Sequence, residues 1–156
     1  MPNLMRIDEI TARLKVLLDA DARLDDNLSE TPTVYDQVPM PQVGLSTYTL
    51  YIEPVLSELL QPQPRTAMTF LSFAHVLRLW LIVWNDDVAV ARSDWTKLLY
   101  NLIAILGDLV DDSGYWEAGL PQSIAYSGSH QNLDFAGDVR YRVGYLDFRI
   151  LQELIL

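Results

Sequence analysis

The ten residues His75-Val-Leu-Arg-Leu-Trp-Leu-Ile-Val-Trp84 constrain the fold more than any other part of the chain. They are branched, aromatic or long aliphatic with no Gly or Pro, the composition of one long β-strand. Alternation puts His75, Leu77, Leu79, Leu81 and Val83 on one face and Val76, Arg78, Trp80, Ile82 and Trp84 on the other. The first face is core. With so little polarity on either side, the strand is expected to be covered on both. The second face carries two tryptophans around an arginine and calls for a partly polar cover: the first helix, a Pro-rich segment or another subunit.

A helix follows the turn Asn85-Asp-Asp87. Between Trp95 and Val110, the residues Trp95, Leu98, Leu99, Leu102, Ile103, Ile105, Leu106, Leu109 and Val110 fill a wide apolar arc. Asp94, Lys97, Asn101, Ala104, Asp108 and Asp111 form a narrow stripe beside it. Ser93 is the expected N-cap and Gly114 the expected stop. An earlier helix starts from Asn3 as its cap and runs through Leu4, Ile7, Ile10, Leu14, Leu17 and Leu18. It is expected to end between Leu18 and Leu24, where acids at its C-terminus oppose the dipole.

Two shorter strands, Thr33 to Val38 and Thr47 to Ile52, are separated by Pro39, Pro41 and Gly44 and are expected to pair. An irregular Pro-rich excursion, 54–68, follows them, with Val55 to Leu60 as a single helical turn or an exposed arm. Near the end, Ser123 to Ser127 and Asp138 to Phe148 read as strands around a polar loop. On the last strand Val139, Tyr141, Val143 and Tyr145 oppose Arg140, Arg142, Gly144, Leu146 and Phe148. The apolar tail 150–156, with Leu154 and Ile155, either tucks into its own core or docks on another copy. These elements predict one α+β domain over 1–156: a mixed, mainly antiparallel sheet of about four to five strands packed by two helices.

Chemistry is sparse. The chain of 156 residues has no cysteine, so disulfides and thiolate ligation are excluded. Its two histidines, His75 and His130, have no partner at metal-ligand spacing, although His130 lies near Asp134 and Asp138. The acid pairs Asp25-Asp26, Asp86-Asp87 and Asp111-Asp112 sit at the ends of elements, where they face water. There is no phosphate loop and no nucleophile elbow. We therefore expect no enzyme, no metal and no cofactor. No stretch reaches the ~18 apolar residues of a membrane span, and a soluble, unsecreted protein is expected.

The net charge of −10, with two lysines against nine arginines, would repel duplex DNA as a whole. Arg78, Arg140 and Arg142 line one face if the two long strands are neighbours. They then either pair internally or meet the acids of an identical neighbour, a head-to-tail contact that closes a ring. Replacing Arg140 and Arg142 together with Glu is expected to block self-association and leave the monomer folded.

The order of elements, carried by His75 to Asp87, Ser93 to Asp111 and Gly137 to Ile150, resembles the tail terminator proteins of long-tailed bacteriophages. These are the minor tail protein U kind and its relatives in contractile-tailed phages, and the similarity covers roughly Leu4 to Ile150. The resemblance implies a hexameric ring, built in the host cytoplasm and resident in the virion at the tail–neck junction. It would cap the tail tube, stop its polymerisation and face the head-side connector, while DNA passes without specific binding. Arg78, Trp80, Trp84, Arg140, Arg142, Leu154 and Ile155 would supply subunit contacts. Asp86, Asp87, Asp111 and Asp112 would face the lumen or a partner. The Pro54 to Pro64 segment and the strong acidity depart from that pattern. Small acidic secretion chaperones, which act as dimers, share the length and low pI, and another phage neck or connector subunit is a further alternative.

Overall fold

The computed structural model describes residues 5–36, 48–60, 70–111, 120–125 and 141–155. Helix α1 (Ile7–Ala20) is followed by strands β1 (Thr33–Tyr35), β2 (Tyr48–Leu60) and β3 (Phe70–Trp84). Helix α2 (Val88–Asp111) and strands β4 (Leu120–Ala125) and β5 (Tyr141–Ile155) come after them. The strands form one sheet in the order β1-β2-β3-β5-β4. Only β1 and β2 run parallel, and every other pair is antiparallel. The α+β class and the mixed, mainly antiparallel sheet with two helices are as the sequence predicts.

The centre of the sheet is the ladder of β3 and β5, in register from Phe70 opposite Ile155 to Trp84 opposite Tyr141. The expected face of β3 is the core: Leu77, Leu79, Leu81 and Val83 are fully buried and His75 nearly so. Ile10, Leu14 and Leu18 of α1 and Trp95, Leu98, Leu102 and Leu106 of α2 join them in one cluster with Leu50, Ile52, Leu146 and Phe148. Both helices thus pack on the same side. α1 is therefore not the second cover, although that face is shielded in part: Thr49, Ala74 and Val143, which lie on it, are buried. Among the described residues no helix lies on the side of Arg78, Trp80 and Trp84, which are half-buried.

Several boundaries move. Residues 1–4 lie outside the described residues, so Asn3 is not assessed as a cap. α1 begins after Arg6, whose backbone N–H donates to the Glu9 carboxylate at 2.9 Å. α2 starts before Trp95, and its cap is Asp87, not Ser93: the Asp87 carboxylate accepts the Ala89 N–H at 2.9 Å. The apolar pattern hides this first turn because only Ala91 of it is buried.

Val55 to Leu60 is neither a helical turn nor a loose arm. It continues β2, paired with β3 as far as Leu60 opposite Ser72. Pro54 is tolerated because the register slips between Pro54 and Leu56, and because β1 flanks β2 only at Thr49 to Tyr51. Proline in a sheet is confined to such bulges and edges. The apolar tail likewise belongs to β5, with Leu154 opposite Leu71 and Ile155 opposite Phe70.

The polar stripe of α2 holds the connection between α1 and β1. Asn101 Nδ2 donates to the carbonyls of Leu24 (3.2 Å) and Asp26 (3.0 Å), and Lys97 Nζ to that of Asn27 (3.2 Å). Arg23 pairs with Asp21 at 2.8 Å and also with Asp108. Asn27 adopts a left-handed backbone (φ 59°), which asparagine accommodates better than most residues. Replacing Asn101 by Ala is expected to cost about 1 kcal/mol. It should also raise hydrogen exchange at the Leu24 and Leu28 amides, and unchanged exchange there would show that the stripe does not hold this connection.

Candidate interaction surface

The second face of the sheet is built by register. Tyr51, Trp80 and Tyr145 stand opposite one another across β2, β3 and β5, and the next row in the same direction is Glu53, Arg78 and Asp147. Arg78 therefore lies between two carboxylates. Its Nε donates to Asp147 Oδ1 at 2.9 Å and its Nη2 to Oδ2 at 3.2 Å, a two-point contact that suits a planar guanidinium. The same guanidinium rests 4.1 Å from the centre of the Tyr145 ring. Trp80 donates its indole N–H to Glu53 at 2.7 Å and tilts against Tyr145 at 4.9 Å.

These contacts set the electrostatics. The hydrogen bonds to Asp147 hold Arg78 above its ordinary pKa against the opposing effect of burial. Burial, then the nearby charge of Glu53, pushes Tyr51 up. Each charge in the row is answered inside the sheet, so this half-buried aromatic patch has its polar groups already oriented. Such a surface suits recognition by shape, since Trp, Tyr and Arg are the side chains that anchor protein interfaces.

The structure separates the residues expected to form one row. Arg78 lies on this second face, but Arg142 lies opposite Val83, on the helix-covered side. Its guanidinium sits 5.0 Å from the Trp95 ring, and its Nε is buried without a hydrogen bond. Arg142 and Asp147 are an odd number of positions apart on β5 and so point to opposite faces, and no row of Arg78 and Arg142 exists. Changing Arg142 to Glu would accordingly disturb Trp95 and is not a clean probe of association. Arg140 lies outside the described residues, as do Asp112 and His130.

The four acids do not gather either. Asp87 caps α2 at one end and Asp111 closes it at the other, about 36 Å away along a 24-residue helix. Asp86 is exposed beside the cap.

Elsewhere, His75 Nδ1 is 2.8 Å from the Ser57 hydroxyl and its Nε2 is 3.2 Å from Gln152 Oε1. This polar rung satisfies a buried imidazole. Among the described residues there is no cluster of three or more His, Asp or Glu side chains suited to a metal, and no helix is long and apolar enough to cross a membrane.

Glu53, Tyr51, Tyr145 and Asp147 are members of the surface that sequence reasoning missed. Alternation alone puts Tyr145 and Asp147 on a common face. Their meeting with Arg78 depends on a register that no local pattern encodes. The chain matches no protein-family model and no curated protein.

Proposed function

We propose that this chain is a non-catalytic structural subunit that assembles with copies of itself into a ring, as a tail terminator does at the head-proximal end of a phage tail tube. The ring would stop tube growth and join the tube to the head-side connector, and its acidity would keep passing DNA from adhering. The observation that carries this reading is an aromatic row on the sheet face away from the two helices, half-buried and with its charges paired among themselves. The tail-terminator pattern of elements supports it, as does the shortage of lysine on so acidic a chain.

Native mass spectrometry and electron microscopy, with and without purified tail tube protein, test the proposal. Six-membered rings that cap tubes and halt their elongation are the expected result. A stable dimer that solubilises a secreted effector would favour the chaperone reading. A chain that stays monomeric with tube protein present would overturn assembly altogether.

A further inference from the structure

Resting on the ring reading, a more specific joint between copies follows from the register of the sheet. Four strands share one level: Glu58, Ala74, Leu151 and Leu120 lie in line across β2, β3, β5 and β4. So do Ser57, His75, Ile150 and Pro121, and then Leu56, Val76, Arg149 and Ser123. At this level β2 and β4 are the two outer strands, because β1 reaches only Thr49 to Tyr51 of β2. Neither outer edge has a strand partner among the described residues.

The β2 edge is also apolar and exposed. Val55, Leu56 and Leu59 are 44%, 49% and 54% exposed, three of the five large hydrophobic residues so placed among the described residues. An unpaired apolar edge is a template for another strand. The direction of the available strand is fixed. β2, β3, β5 and β4 alternate in direction, so β2 and β4 of one chain run antiparallel. A copy related by rotation about an axis along the strands brings its β4 beside β2 of the first, antiparallel and at the same level, and continues the alternation. Both edges also slip by one residue at neighbouring levels, between Pro54 and Leu56 and between Pro121 and Ser123. Because the two edges differ, the contact is head-to-tail and propagates until it closes.

We propose that the β2 edge at Val55–Leu60 of one copy pairs antiparallel with the β4 edge at Leu120–Ala125 of the next, so that the sheet runs continuously around the ring. The absence of native cysteine makes this directly testable. Within one chain Leu56 and Ser123 are three strand spacings apart, about 14 Å. That is well beyond the ~7 Å that a disulfide can span, so a bond between them must link two chains. Oxidising the Leu56→Cys, Ser123→Cys double variant under assembling conditions is expected to shift the bulk of the chain into a ladder of covalent oligomers. Mixing the two single variants should give only the mixed dimer. The Glu58→Cys, Leu120→Cys pair reports the adjacent level.

If native mass spectrometry finds a ring but neither pair cross-links, the edge joint is wrong and the ring stands. Homodimers from Leu56→Cys alone would mean two-fold pairing of β2 and would overturn the joint. A monomer without cross-links, alone and with tube protein, would overturn both.

Discussion

Replacing Gly144 by Val lowers the unfolding free energy by about 1–3 kcal/mol or somewhat more, as expected for overpacking of a filled core. A Cβ at this position would stand 2.5 Å from Cζ2 of Trp95, and 3.3 Å from its Cη2. The indole has little freedom to retreat. It is 2% exposed, its N–H donates to the Leu81 carbonyl at 3.2 Å, and Leu81 is the residue opposite Gly144. Strand interiors ordinarily disfavour glycine, and a close approach from another element is one of the reasons to find it there. The measurement is urea unfolding followed by tryptophan fluorescence, with Trp95→Phe combined to complete a cycle. The smaller ring should recover part of the loss caused by Gly144→Val, giving a coupling of opposite sign to the single effects. An unchanged midpoint for Gly144→Val would mean that the indole does not lie against β5.

The second large effect is expected from Asp94→Ala. This carboxylate is 2% exposed and accepts the Ser29 N–H at 3.1 Å and the hydroxyl of fully buried Tyr48, with Lys97 3.8 Å away. Its removal leaves buried donors unanswered, a loss of about 1–3 kcal/mol. The pH dependence follows from the same contacts. Burial alone would raise the Asp94 pKa, but the hydrogen bonds from Tyr48 and Ser29 and the charge of Lys97 outweigh it and hold it below the ordinary carboxylate value. A lowered pKa contributes stability that is complete above the unfolded value, about 3.9, and lost as pH falls through the folded one. Tyr48 shows the opposite shift: burial, then its bond to Asp94, pushes it up to about 12. Its contribution is complete below about pH 10 and is lost as pH rises through that folded value. Unfolding curves from acid to alkali should therefore show the gap between the native chain and Asp94→Ala widest in the neutral range and narrower at both ends. A gap independent of pH would deny the pair its role.

Asp94 also shows where a sequence pattern and its meaning part. The polar stripe of α2 was legible, with Asp94, Lys97 and Asn101 at the expected spacing. Periodicity marks a stripe as polar but does not say what answers it. Here the answer is the chain between Asp21 and Ser29, reached across 65 to 85 residues. The same limit applies to Pro54. A proline ordinarily argues against a central strand, and β2 accepts it because that part of the strand has a bulge and, among the described residues, no second strand neighbour, both properties of the assembled sheet.

By itself the sequence determined which residues of β3 and β5 share a face, the apolar stripe of α1, the wide arc of α2 and the α+β class. Each follows from a local repeat of two or 3.6 residues that must bury its apolar side. Only the tertiary structure decided that both helices take the same face, that Arg78 meets Asp147 and that Arg142 falls on Trp95. Alternation labels two sides of a strand without saying which the helices will occupy, and a shift of one residue in pairing exchanges them. The choice is made by long-range packing.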